Sequence, residues 1–236
     1  MYTEYQEIMI MKERYERNIP AVSAAEQELL SHKRVLVIGC GGLGGYIIEY
    51  LVRAGVGELT VVDGDTFEAS NLNRQILSSP HLFGTNKALA AAERIAWINP
   101  DTKVNPVPAF FDESNAVSLV RGHDLVVDAL DNVPARLLLE DVCEAENITI
   151  VHGAIQGWSM QASVILPGMR SLHRFYGSEG AYPSKTSLSF TPPFCAAVEA
   201  AEAVKLLVGK PSSLAGKFLL ADMLSMEWRI IPLFEE

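Results

Sequence analysis

Between positions 63 and 87 the chain gathers Asp63, Asp65, Ser70, Asn71, Arg74, Gln75 and Lys87, in "VVDGDTFEASNLNRQIL" and "FGTNKALAAAERIAWINP". A dinucleotide site needs one acidic residue after its second strand, for the ribose hydroxyls. The amides and cations that follow suit a triphosphate that is to be broken. Cleaving a phosphoanhydride at its α-phosphate takes positive charge on the phosphate oxygens, a metal ion and a positioned nucleophile, with little covalent help. Arg74 offers a planar fork that can clamp two oxygens, and Lys87 a point charge. Further on, "DALDN" supplies Leu130, Asp131 and Asn132. Asp131 is a carboxylate able to hold Mg²⁺, a hard ion that favours carboxylate, phosphate and water oxygens. Taken singly, each residue has a plainer reading: an exposed Arg or Lys is a solvated charge, and Asp131 or Asn132 could cap the following helix.

The elements that must position these groups are read from periodicity. "VLVIGCGGLGG" sets Gly39, Gly41 and Gly44 in G-x-G-x-x-G spacing, with Gly42 in the same loop, between an apolar run and a helical pattern. Such a turn brings backbone close to phosphate at a helix N-terminus, and Asp63, at the tip of the next strand, can accept from a ribose. A glycine turn used only for packing is the alternative. The spacing predicts strands at 34–39, 58–63, 102–107, 124–130 and 148–154, with helices from Gly42 to Ala54, Lys87 to Ile98 and Pro134 to Glu146. Apolar strands alternating with helices at short spacing imply a doubly wound, mostly parallel Rossmann-like α/β sheet.

An N-terminal helical appendage is expected over 1–33, with helices at about 4–17 and from Ala24 to Ser31 behind a Ser23 cap. The nucleotide-binding core is 34–154. After it come a strand at 158–166, an irregular crossover segment at about 167–192, a helix in "PPFCAAVEAAEAVKLLVG" and two further C-terminal strands, at 216–222 and 227–233. All 236 residues read as one domain.

Composition narrows the functional classes. A net charge of −10 with no Lys/Arg run makes nucleic acid a poor partner. The sequence has no long apolar run for a transmembrane helix and no signal-peptide pattern at its start, so no membrane role and a cytoplasmic setting are expected. The three cysteines form neither a disulfide framework nor a Cys-x-x-Cys pair. Cys40 and Cys143 read as buried filler. Cys195, near a helix N-terminus, is assigned to packing ahead of a reactive role. The five histidines form no catalytic constellation, and His152 reads as a satisfied core residue.

The motifs "RYERNI", "VLVIGCGGLGG", "VGELTVVDGDTFEASNLNRQIL", "FGTNKALAAAERIAWINP" and "DLVVDALDNVPAR" resemble the MoeB/ThiF/HesA family, relatives of the ubiquitin-activating enzymes. The resemblance implies an ATP-dependent adenylyltransferase acting on the C-terminal glycine carboxylate of a small ubiquitin-like protein or peptide, with release of pyrophosphate. It implies that Asp63 holds the ribose, that Ser70, Asn71, Arg74 and Lys87 address the phosphates, and that Asp131 binds magnesium. It further implies that Arg17 reaches into a partner subunit's site as an arginine finger, which makes a homodimer necessary. Family members with a structural zinc carry two Cys-x-x-Cys pairs. This chain has Met169 to His173 where the first would fall, so no structural zinc is expected. Two other classes stay open at this level: an NAD-dependent oxidoreductase, resting on the glycine loop and Asp63 alone, and a non-catalytic subunit of the same fold.

Overall fold

The computed structural model describes residues 13–177 and 186–234. Its centre is an eight-stranded sheet in the order β3-β2-β1-β4-β5-β6-β7-β8. The strands are β1 (Arg34–Ile38), β2 (Glu58–Val62), β3 (Lys103–Val107), β4 (Leu125–Asp128), β5 (Ile150–Gln156), β6 (Ser159–Ile165), β7 (Lys217–Asp222) and β8 (Glu227–Pro232). β1 to β5 pair in parallel, and β6, β7 and β8 extend the sheet as an antiparallel meander. The chain runs outward from β1 through β2 to β3, then restarts at β4 on the other side of β1. A crevice therefore opens beyond the carboxyl ends of β1 and β4, where such sheets bind ligands.

The helices are α1 (Ala24–Ser31), α2 (Gly42–Ala54), α3 (Lys87–Ile98), α4 (Ala116–Val120), α5 (Val133–Ala145), α6 (Ser171–Tyr176) and α7 (Thr191–Leu207). Alternation along β1 explains the two-layered core. Val35 and Val37 face a cluster built with α2, α3 and α7, whereas Leu36 and Ile38 face a second cluster built with α4, α5 and α6. Both faces being covered accounts for the apolar runs of the parallel strands. β3, carrying Pro106, is the edge strand on its side, as a missing amide requires.

Three helices have the bounds read from the sequence, each through a local signal. Ser23 closes a capping box with Glu26 at the start of α1. Gly55 ends α2 with φ +96°. Asn86 caps α3 by accepting from the amides of Ala88 and Leu89 at 2.9 and 3.2 Å. Residues 4–12 of the helix expected over 4–17 lie outside the described residues, and its remaining part ends in a 3-10 turn at Glu16–Asn18. The segment expected to be irregular between 167 and 192 contains α6. The N-terminal amides of α6 are satisfied from a distance: the Glu140 carboxylate of α5 accepts from Leu172 and His173 at 2.8 and 2.9 Å. α4 has only five residues, too few to show a helical period in sequence.

Candidate active site

The glycine loop joins β1 to α2. Gly39 has φ +101°, and a β-carbon there would sit 2.5 Å from the Ala129 carbonyl oxygen. A β-carbon on Gly44 would lie 1.7 Å from the Gly39 oxygen, so this glycine serves the close approach of helix to strand. Gly41 and Gly42 differ. Their nearest obstacles are side-chain atoms of Gln75 at 3.6 Å and Arg74 at 3.5 Å, ordinary contacts. What a side chain at Gly41 or Gly42 would fill is the adjoining cleft, which both residues line and which measures about 380 Å³.

The β2 side of the cleft carries the acids and cations. Asp63 is held by the amides of Cys40 and Asp65, which donate to its two oxygens at 2.8 Å each. Burial raises its pKa above the usual carboxylate range, although those two bonds and the charge of Lys87 pull the other way. Lys87, at the first turn of α3, is buried and reaches Asp65 at 3.2 Å. Arg74 is half-buried, steadied by bonds from Nη1 to the Ser70 carbonyl at 3.0 Å and to Asn73 Oδ1 at 2.8 Å. Asn71 fixes the same loop, its Oδ1 accepting from the Glu68 amide at 3.0 Å. Gln75 is buried beneath Gly41, and its Oε1 has no hydrogen-bond partner.

The opposite wall is the loop after β4. Leu130, Asp131 and Asn132 all line the cleft, and Asp131 and Asn132 are exposed in it. Asn132 also caps α5, accepting from the Ala135 amide at 2.9 Å. Sequence reasoning passed over Arg136, one turn into α5. It is buried on the cleft's floor, donates from Nη2 to the Leu130 carbonyl at 2.5 Å and lies 3.5 Å from the Asp128 carboxylate. Its only sequence signal is an arginine shortly after an acidic loop.

Arg74, Lys87 and Asp131 thus converge with Gly39, Gly41, Gly42, Asp63 and Asp65 on one cleft. Three of the residues singled out from sequence do not line it. Gly44 is buried in the packing described above, Ser70 is exposed behind Arg74, and Arg17 is exposed in the turn at Glu16–Asn18. Cys40, Cys143 and Cys195 are buried, and burial pushes all three thiols up. That leaves them protonated and packed, contrary to what a reactive thiolate requires. His152 is wholly buried against Asp128 at 2.7 Å.

The residues fit a metal-bound nucleoside triphosphate. The open cradle at Gly41 and Gly42 and two cations along one wall match a polyphosphate. Among the described residues no group of three His, Cys, Asp or Glu could hold a metal by itself. A magnesium ion at Asp131 would complete its shell with phosphate oxygens and water, as this ion commonly does. No helix among the described residues is long and apolar enough to cross a membrane.

A doubly wound sheet with a glycine-loop cleft at its switch point defines a nucleotide-binding α/β protein. The ThiF family model matches residues 15–236, and the chain belongs to the ThiF family. It is 41% identical over 228 residues to the "SAMP-activating enzyme E1" of Haloferax volcanii, covering 93% of this chain and 84% of that protein. Its identity to the "Sulfur carrier protein adenylyltransferase" of Thermus thermophilus is 37% over 231 residues, covering 92% of this chain and 85% of that protein. Among solved structures, E. coli MccB with ATP superposes with a TM-score of 0.80 at 20% identity, over 94% of this chain and 72% of that one. That last likeness concerns the fold alone.

Proposed function

We propose that the protein is an ATP-dependent adenylyltransferase that activates the C-terminal carboxylate of a small ubiquitin-like sulfur-carrier protein or peptide. The observation that carries this reading is the convergence of Arg74, Lys87 and Asp131 around the Gly41–Gly42 cradle. A hydride-transfer enzyme has no use for that set, and the names of the relatives support adenylyl transfer.

In this reading Asp63 accepts from the ribose hydroxyls, and the amides at Gly41 and Gly42 face the phosphates. A carrier carboxylate oxygen attacks the α-phosphorus. The oxygen–phosphorus bond forms as the bond to the bridging oxygen breaks, and pyrophosphate leaves with that electron pair. No general base is needed, because a carboxylate is already ionised at neutral pH. Arg74 and Lys87 lower the repulsion between the two anions and neutralise the charge growing on the leaving group. Magnesium bound at Asp131 would add positive charge to the phosphates.

The partner is a protein or peptide tail ending in Gly. The cleft wall at Ala154, Ile155 and Gln156 runs into Trp158, which packs on Phe190 at 5.0 Å, and both rings are exposed. Such a surface suits a macromolecular substrate more than a small acid. Arg17, exposed and outside its own cleft, is assigned to the cleft of a second copy in a homodimer. The decisive experiment is ATP–pyrophosphate exchange with candidate carriers ending in Gly-Gly. Exchange dependent on carrier and magnesium supports the proposal; ATP binding with no exchange for any such carrier overturns it.

A further inference from the structure

We propose that a ring of the buried Arg136, His152 and Asp128 with the half-buried Tyr176 sets the position of Asp131, and that Tyr176 is a positioning residue of the site. The inference rests on reading Asp131 as the magnesium ligand.

The ring can be followed donor by donor. Arg136 Nη1 donates to the Tyr176 hydroxyl oxygen at 3.1 Å. That hydroxyl lies 3.2 Å from His152 Nε2. His152 Nδ1 lies 2.7 Å from Asp128 Oδ2, and the same oxygen is 3.5 Å from Arg136 Nε, which closes the circuit. Burial drives the His152 pKa down, against the pull of Asp128. A neutral imidazole facing a carboxylate carries its proton on Nδ1, so Nε2 is left as an acceptor for the Tyr176 hydroxyl. With Arg136 donating to the tyrosine oxygen, the hydroxyl hydrogen turns toward His152 Nε2, and the Gln161 side-chain amide of β6, which donates to the same hydroxyl and lies 3.2 Å from that nitrogen, braces the pair.

Two arms of this ring hold a single residue. Asp128 Oδ1 accepts the Leu130 amide at 2.9 Å, and Arg136 Nη2 donates to the Leu130 carbonyl at 2.5 Å. The peptide groups on either side of Leu130 are thus gripped by the two charged members of the ring. Asp131 is the next residue, so its backbone leaves a clamped carbonyl. The carboxylate itself is exposed in the cleft, where Asn132 Nδ2 donates to its Oδ1 at 3.4 Å, and the clamped backbone sets where it starts from. Tyr176, the last residue of α6, brings the C-terminal half of the chain into the support of a loop that belongs to the first half. Groups that orient a metal ligand in this way affect affinity by about 10–100-fold when removed.

Tyr176→Phe keeps the ring's packing and deletes the oxygen that joins Arg136 to His152 on the side away from Asp128. The test uses the full chain and two measurements. Hydrogen exchange on the ATP-free protein reads the Leu130 amide directly. Calorimetry with ATP, with and without MgCl₂, reads how much magnesium tightens binding. The inference expects faster exchange confined to residues 129–132 and a loss of about 10-fold or more in the magnesium effect. It also expects no additional loss when Tyr176→Phe is placed on an Asp131→Asn background. Phe175→Ala, on the same short helix, removes a ring that stacks on Phe218 at 4.2 Å and packs edge-on against Tyr176 at 5.1 Å, so it loosens the packing around the circuit while keeping every hydrogen bond in it. It should lower the melting temperature and leave 129–132 as in the wild type. Unchanged exchange at 129–132 in Tyr176→Phe overturns the inference. So does exchange raised throughout the sheet, or a Phe175→Ala variant that behaves identically. If magnesium has no effect on ATP binding by the wild type, the adenylyltransferase reading fails, and the exchange measurement still decides whether the ring holds the loop.

Discussion

The carboxyl group of Glu199 lies directly against the α-carbon of Gly153: a β-carbon on that glycine would come within 2.2 Å of Glu199 Oε2. Glu199 is wholly buried on α7, and its Oε1 has no hydrogen-bond partner. Burial, with the nearby charge of Asp128 adding to it, pushes this carboxyl well above the usual range. The folded chain therefore keeps a proton that the unfolded chain, titrating near 4.5, has already released. Where the folded state binds more protons, stability falls as pH rises, so the cost of Glu199 begins near pH 4.5 and grows upward. Glu199→Gln removes the titration. Its melting temperature should exceed that of the wild type at neutral pH by about 2–4 °C or more, the shift for ~1 kcal/mol in a chain of this size. The gap should close on acidification. A gap independent of pH between 4 and 8, followed by calorimetry in steps of about one unit, would contradict this assignment.

Two glycines three positions apart should fail in different ways. Gly44→Ala places a methyl group against the Gly39 carbonyl at 1.7 Å, which forces the helix off the strand. Loss of soluble folded protein, or a drop of several kcal/mol in urea unfolding, is expected at this overpacked position. Gly41→Ala has ordinary room on the protein side and occupies the phosphate cradle instead. It should melt near the wild type and lose ATP binding, measured by calorimetry.

Removing Lys87 should separate catalysis from stability. Its ion-pair partner Asp65 keeps 58% of its side chain exposed, and Asp63, whose pKa the lysine helps hold down, keeps both of its backbone hydrogen bonds, so Lys87→Ala should leave the fold intact. Arg74→Ala likewise cuts bonds made at the surface of its loop. Each change should lower pyrophosphate exchange by about 10²–10³-fold, the usual effect of losing one preorganised donor to a developing anion. Circular dichroism should remain that of the wild type. Exchange within about twofold of the wild type in both variants would remove these cations from the reaction.

If Arg17 serves the second copy, two inactive variants should complement each other. Mixed dimers of Arg17→Ala and Arg74→Ala carry one cleft with both defects and one with neither. Random reassortment makes about half the dimers mixed, so about a quarter of wild-type exchange should return on mixing after dissociation. A mixture no more active than its components would place Arg17 outside the neighbouring cleft.

What could be read from the chain in advance was whatever is encoded locally. The glycine spacing, the acid at the tip of β2, and the caps at Ser23 and Asn132 all lie within a few residues of the structure they dictate. The doubly wound order followed from apolar runs alternating with helical patterns. Hidden features were those whose partners lie far along the chain. Arg136 looks like a helix-surface charge until β5 and α6 close around it, and α6 looks like loop until Glu140 is known to face it. Ser70 was placed on the phosphates because it sits in the right motif. Its neighbours Asn71 and Arg74 line the cleft, whereas Ser70 lies outside it and serves the loop, its carbonyl accepting from Arg74 and its hydroxyl from Asn71 Nδ2 at 3.4 Å.

The dependence of α6 on Glu140 also dictates an order of assembly. A six-residue helix whose first amides are met by a carboxylate 32 positions upstream has no means of nucleating by itself. It can form only on an α5 already docked against the sheet. The segment carrying Tyr176 therefore takes its helical form only once α5 has presented Glu140 to it.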